Sequence, residues 1–313
     1  MNIKHGSAIC YSGYREDQNP RLGIYPSYDQ VKEDLLILSK YWQHIRIYDC
    51  GPHADIVFNV LEGEKIDLKV MLGADIGAEV GNPNCPWGAQ YSDSQLLENK
   101  NANEAQIERL IVLSKRYEAY ISSVSIGNEA SVDWSDHLVP VDRLIGYVRR
   151  IKEEIKLPVT FCENYLPWVE KLAPLVAELD FISIHTYPVW EYKTIEEAID
   201  YTKQNYDFVA NRYPDKQVVI TEAGWATQSN GRGIETWNAS PELQATYYQQ
   251  LLDWSYSDNI LIYVFEAFDE PWKGSDHPQE PEKHWGLFDV NRKPKKVMAE
   301  LFKTSDKELT AAC

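Results

Sequence analysis

Two short segments of this chain carry carboxylates from which paired chemistry could come. Ser125-Ile126-Gly127-Asn128-Glu129 and Ile220-Thr221-Glu222-Ala223-Gly224-Trp225 each follow an apolar, β-rich run with a glutamate. Two carboxyl groups flanking one bond are the equipment of glycoside hydrolysis. One is protonated and gives its proton to the leaving oxygen, while the other is ionised and attacks the anomeric carbon; a gap of about 5 to 5.5 Å gives retention, and about 6.5 to 9.5 Å inversion. A single strand-end glutamate serves equally well as a solvated loop residue or half of a structural ion pair. Two of them, in Asn-Glu and Glu-x-Gly-Trp settings, argue for catalysis. Ten Trp and twenty Tyr point the same way, because amphipathic rings with a polar edge suit a surface that stacks on a ligand such as a sugar.

The elements that must position these groups are legible as alternating patterns. Apolar runs at 8–11, 44–48, 68–72, 121–126, 159–162, 181–185, 218–221 and 261–265 read as strands. Between them lie amphipathic helices, such as the one carrying Val141, Leu144, Ile145, Val148, Ile151 and Ile155 at steps of three and four. Ser27 with Gln30, Asn103 with Gln106 and Thr194 with Glu197 fit capping boxes, and Ser240 before Pro241 fits an N-cap. Eight βα units with near-continuous apolar strands predict an α/β fold, a single (β/α)8 TIM barrel forming one catalytic domain over 1–313, with a short tail from about 304. In such a barrel the active site lies at the C-terminal ends of the strands. Glu129 and Glu222 then stand at the ends of strands four and seven, three places apart round the ring, and can converge. The long connection after Gly73, carrying Trp87 and Tyr91, is read as a functional loop reaching Asn103.

Composition narrows the partners. Lys plus Arg is 31 against 48 Asp plus Glu, a formal charge of -17, so nucleic acid and anionic membrane are not expected to bind. No run of about 18 apolar residues occurs. The five cysteines, Cys10, Cys50, Cys85, Cys162 and Cys313, include no CxxC pair and predict no disulfide framework. Residues 1–6 lack an apolar signal stretch; a secreted or periplasmic location is expected if a leader has been removed, and a cytoplasmic one if Met1 is the native start. A monomer is expected.

Four segments together resemble glycoside hydrolase family 17, the β-1,3-glucanases and β-1,3-glucanosyltransferases. They are Ile45-Arg46-Ile47-Tyr48-Asp49, Ile126-Gly127-Asn128-Glu129, Thr221-Glu222-Ala223-Gly224-Trp225, and Phe265-Glu266-Ala267-Phe268-Asp269-Glu270-Pro271-Trp272-Lys273 followed by His284-Trp285-Gly286-Leu287-Phe288. The resemblance implies retaining, endo-acting hydrolysis of laminarin-type β-1,3-glucan or its oligosaccharides, without a metal or other cofactor. It assigns Glu129 as acid/base and Glu222 as nucleophile. Asn128 resembles the residue that holds the sugar 2-hydroxyl, and Tyr187 the tyrosine that steadies the nucleophile. Arg46 either adds positive charge near Glu222 or pairs with Asp49. Glu270, Lys273 and Glu282 match family positions expected to form a charge network. Glu266 departs from the plant-type pattern, resembles the microbial branch, and could bind a sugar hydroxyl. Tyr11, Trp225 and Trp285 are expected to stack on pyranose faces, and Trp87, Trp134, Trp190, Trp237 and Trp272 could extend the cleft.

Two other classes remain as alternatives. A metal-dependent barrel enzyme could draw ligands from His185, Glu129, Glu163 and Glu222, although the chain has neither a first-strand His-x-His nor HExxH. A non-catalytic glycan-binding barrel would be expected to have lost one of the two glutamates. Within the family, a glucanosyltransferase would use the same pair.

Overall fold

A computed structural model of the protein describes residues 3–301; the predicted tail from about 304 and Cys313 lie outside the described residues. Eight parallel strands close into a barrel in sequence order: β1 (Ala8–Cys10), β2 (His44–Ile47), β3 (Lys69–Gly73), β4 (Ile121–Asn128), β5 (Val159–Asn164), β6 (Ile182–Thr186), β7 (Val218–Gly224) and β8 (Ile262–Phe265). Every predicted strand is present. Buried on both faces, inside the ring and under the helices, they appear in sequence as continuous rather than alternating apolar runs. The ring closes where β1 pairs with β8, Ala8 opposite Tyr263.

Nine helices surround the barrel among the described residues: α1 (Tyr28–Leu38), α2 (Pro52–Glu64), α3 (Asp93–Arg116), α4 (Val141–Glu154), α5 (Tyr165–Glu170), α6 (Ala173–Val176), α7 (Ile195–Arg212), α8 (Pro241–Asp258) and α9 (Lys296–Leu301). In α4 the predicted face is the packed one, with Leu144, Val148 and Ile151 fully buried and Val141, Ile145 and Ile155 against the core. The capping boxes at Ser27 and Thr194 form, and Ser240 caps α8 with Pro241 in its first turn.

Asn103 does not cap a helix. It sits buried inside α3, where its amide accepts the Gly77 N–H (2.7 Å) and donates to Gly77 O (2.9 Å). The helix begins earlier, at a capping box of Ser92 with Gln95. A polar side chain inside a helix that ties down the preceding loop produces the same Asn-x-x-Gln pattern as a cap. The connection after β3 is therefore residues 74–92.

Register shifts mark the strand ends that bear the site. They fall between Ser125 and Asn128 where β4 meets β5, between Ile184 and His185 where β6 meets β7, and between Ile220 and Ala223 where β7 meets β8. Such irregularities re-aim side chains next to active sites. A buried ion pair binds the segment after β8 to α1: Arg292 Nε and Nη2 reach the two oxygens of Asp34 at 2.7 Å each. Arg15 Nη2 and Tyr11 Oη donate to the same carboxylate at 3.1 Å, so its lone pairs are well used. No helix among the described residues is long and apolar enough to cross a membrane. Cys10, Cys50, Cys85 and Cys162 are free buried thiols.

Candidate active site

At the end of β4 the chain turns sharply to present two side chains. Gly127 (φ 150°) has no room for a side chain, since a Cβ there would lie 2.7 Å from Ile76 Cδ1, and Glu129 follows in the left-handed region at φ 47°. A non-glycine residue is seldom held there, and such strain clusters at functional positions. The Glu129 N–H donates to Cys162 O at 2.9 Å, fixing the turn to β5. The Glu129 side chain remains 29% exposed.

Glu222, from β7, is buried and surrounded by donors. Arg46 Nη1 (2.6 Å) and Tyr48 Oη (3.0 Å) donate to its Oε1, and Tyr187 Oη donates to its Oε2 at 2.5 Å. Burial alone would raise this carboxyl's pKa. The positive charges of His185 and Arg46, with the Tyr187 and Arg46 hydrogen bonds, outweigh burial and hold it below the usual carboxylate value. Arg46 also donates to Asn128 Oδ1 (2.5 Å), so one guanidinium orients both neighbours of the cleft. It does not turn to Asp49, whose Oδ1 instead accepts the Gly51 N–H at the start of α2.

His185, fully buried at the end of β6, lies between the two carboxylates. Its Nδ1 is 2.8 Å from Glu129 Oε1 and 3.6 Å from Glu222 Oε2. Burial opposes a charge on the ring, but the Glu222 carboxylate, the Cys162 thiol and Glu129 push the imidazole up to about 10. One donor atom each of Glu129, His185 and Glu222 lie within 4.8 Å of one another. These are three of the four residues of the metal-dependent alternative. The fourth, Glu163, is not in the group; it accepts the N–H groups of Ser131 (2.8 Å) and Asn164 (2.7 Å). The carboxylate charge is already answered by Arg46 and the imidazolium, which a cation would have to displace.

The segment after β8 supplies a second charge cluster, entered through a cis peptide between Phe265 and Glu266. Lys273 Nζ is 2.7 Å from both Glu266 Oε2 and Glu270 Oε2. Glu266 thus joins the charges expected around Lys273. Glu282 stands half-buried in the field of Lys273, which lowers its pKa, but burial, with Glu129 and Glu222, outweighs this and pushes it up to about 7. Glu266 is fully enclosed instead of facing a sugar. The long post-strand segment folds it inward against Lys273, and a half-buried lysine draws in whichever carboxylates are nearest.

The expected aromatic platforms are corrected most. Tyr11, Trp225 and Trp285 are all buried. Tyr11 spends its hydroxyl on Asp34, Trp225 donates its indole N–H to Asn238 O (2.9 Å), and Trp285 packs among Tyr187, Phe265 and Trp190. Trp190 and Trp272 are half-buried, whereas Trp87, Trp134 and Trp237 are exposed at 61%, 38% and 65%.

Sequence reasoning did not give Tyr48 a role, and considered His185 only as a metal ligand. Strand periodicity held the missing signal. Side chains two apart on a strand share a face, so Arg46 implies Tyr48 as the next inward residue, and Tyr187 implies His185 before it.

Known proteins resemble this chain in sequence and in fold. The profile of the BtgE/BtgC glycoside hydrolase domain matches residues 8–286. The protein named "Probable glucan endo-1,3-beta-glucosidase btgC" of Aspergillus flavus is 26% identical over 295 residues, covering 86% of this chain and 40% of its own length; the Aspergillus oryzae protein of that name gives the same figures. The chain thus spans about two fifths of the curated relatives it matches. Among solved structures, an endo-laminarinase from Formosa Hel1_33_131 superposes with TM-score 0.81 at 24% identity, covering 96% of this chain and 87% of that one. A family 17 β-1,3-glucanosyltransferase from Rhizomucor miehei gives TM-score 0.72 at 21% identity, over 93% and 96%. With the profile spanning the barrel from β1 to Gly286, the chain belongs to the BtgE/BtgC glycoside hydrolase domain family.

Proposed function

We propose that the protein is a retaining endo-β-1,3-glucanase of glycoside hydrolase family 17, with Glu222 as nucleophile and Glu129 as acid/base. The observation that carries this is the proximity of the two carboxylates, whose nearest donor atoms lie within 4.8 Å, on the side of the retaining spacing of about 5 to 5.5 Å. Their unequal surroundings support the division of roles. Glu222, ionised among Arg46, Tyr48 and Tyr187, attacks the anomeric carbon while Glu129, open to the cleft, protonates the departing oxygen. A water then loses its proton to Glu129 and displaces Glu222 from the sugar, which gives net retention. Asn128 is positioned by Arg46 to meet the 2-hydroxyl. The substrate class is inferred from the names of the btgC relatives and the laminarinase-like fold.

Mass analysis of products from reducing-end-labelled laminari-oligosaccharides, with EDTA present, tests the reading. Shorter products alone are expected. Products longer than the starting sugar would make the enzyme a glucanosyltransferase, and an unchanged substrate would overturn the β-1,3-glucan assignment.

His185 gives this mechanism a pH signature. Arg46, Glu129, Cys162, Glu163, Glu222 and Tyr187 face or adjoin its ring from β2, β4, β5, β7 and the loop after β6. A positive charge there favours ionised Glu222, so His185→Asn is expected to raise the Glu222 pKa. The acidic limb of kcat/KM then moves up by about one pH unit. An unmoved limb would show that His185 only packs.

A further inference from the structure

Asn128 is held at both of its oxygens by nitrogen donors. Arg46 takes the side-chain Oδ1, and across the neck of the following loop the His137 ring returns to the backbone carbonyl, its Nε2 2.7 Å from Asn128 O. The other ring nitrogen, Nδ1, lies 2.6 Å from Asp136 Oδ1. A carbonyl oxygen and a carboxylate only accept, so each contact needs a hydrogen on the ring nitrogen that makes it. The ring that satisfies both is the doubly protonated imidazolium. Asp136 is ionised in its turn, because the His137 hydrogen bond and charge outweigh burial and hold its carboxyl below the usual value. The backbone of the histidine is fixed as well, its N–H donating to Ser135 Oγ at 3.1 Å.

The surrounding charges keep the ring in that form. Burial opposes a charge on it, but the hydrogen bonds to Asp136 and to Asn128 O, with the carboxylates of Asp136 and, from the connection after β3, Asp75, push it up to about 9. Arg21, from the turn after β1, faces both of those carboxylates. The value lies above the ordinary 6.5, so the clamp is whole at neutral pH and is lost as pH rises through about 9.

The carbonyl so held belongs to the peptide that joins Asn128 to Glu129. The opposite edge of the same peptide is the Glu129 N–H, which donates to Cys162 O. Its plane is therefore pinned on both sides, and the residue that follows stands at φ 47°, where a glutamate left to itself is seldom found. We infer that His137 is a positioning residue for the acid/base: its imidazolium fixes the Asn128–Glu129 peptide plane, and with it the direction in which the Glu129 carboxyl meets the leaving oxygen. This rests on the assignment of Glu129 as acid/base above.

Two measurements test it. Long-range 1H–15N NMR spectra, with the His137 signals identified by their loss in His137→Gln, are expected to show both ring nitrogens protonated at neutral pH and a titration midpoint near 9. A neutral ring carrying one hydrogen at neutral pH would overturn the proposal whatever the enzyme does. In kinetics, His137→Ala is expected to lower kcat for laminarihexaose about tenfold or more, since a small misplacement of a reacting group is costly, with KM within about twofold of wild type. An aryl laminaribioside whose acidic phenol departs unaided should form the glycosyl-enzyme within about threefold of the wild-type rate. His137→Gln, whose amide N–H still reaches toward Asn128 O, should recover most of kcat. Equal losses on the two substrates would mean the ring merely supports the loop, and an unchanged kcat would mean the carbonyl needs no clamp; both overturn the proposal while the glucanase reading stands. A wild type inert on both substrates would overturn the acid/base assignment and the proposal with it.

Discussion

Glu222→Ala is expected to abolish turnover of laminari-oligosaccharides, by on the order of 10⁵-fold or more, because no other group can form the covalent intermediate. Azide should restore activity and leave as an α-glycosyl azide. The cavity left by the side chain lies among Arg46, Tyr48 and Tyr187, three donors that now hold an anion and will hold another. An attack from that face inverts the β-configured centre once, and the second displacement that restores it in the wild type is missing. NMR of the product decides the assignment: a β-azide would mean that the roles of Glu129 and Glu222 are exchanged.

Glu129→Ala is expected to act selectively. Loss of a general acid costs about 10² to 10⁴ when the leaving group is a sugar alkoxide, and far less when the leaving group departs unaided. The kcat/KM for laminari-oligosaccharides should therefore collapse, while formation of the glycosyl-enzyme from an aryl laminaribioside with an acidic phenol stays within about tenfold of wild type. Its hydrolysis then becomes slow because the base is missing, and a pre-steady-state burst of phenol should appear. Equal losses on the two substrates would exclude the acid role.

These two residues were legible in the sequence because the fold makes position meaningful. A buried parallel strand declares itself as an apolar run, and the residue just past its end must stand at the mouth of the barrel. The charge of Arg46 on Glu222 was foreseen as one of two possibilities, from its place on the second strand in a segment that resembles the family. Direction within a loop was not legible. Trp225 and Trp285 sit at the predicted places, yet a backbone carbonyl farther along its own connection satisfies the Trp225 indole as well as water would, and the rings turn inward. The loop around Trp134 is tied at Asp133 O and Ser135 O by Asn82, a residue far away in sequence whose reach no local pattern announces. The direct pairing of Glu266 with Lys273 has the same origin, a choice between neighbouring carboxylates made by packing.

The clasp between Asp34 and Arg292 has a consequence for how the molecule is made. It joins α1 to a segment that follows the last strand, and β1 gains its second neighbour only when β8 arrives. On the ribosome, β1 and β2 emerge long before either partner exists. The nascent sheet must therefore wait with β1 as an open edge and with Asp34 short of the second of its two guanidiniums, the kind of species that pairs with other chains. Ring closure is a late event in the life of this polypeptide, and the interval before it is when a chaperone has most to protect.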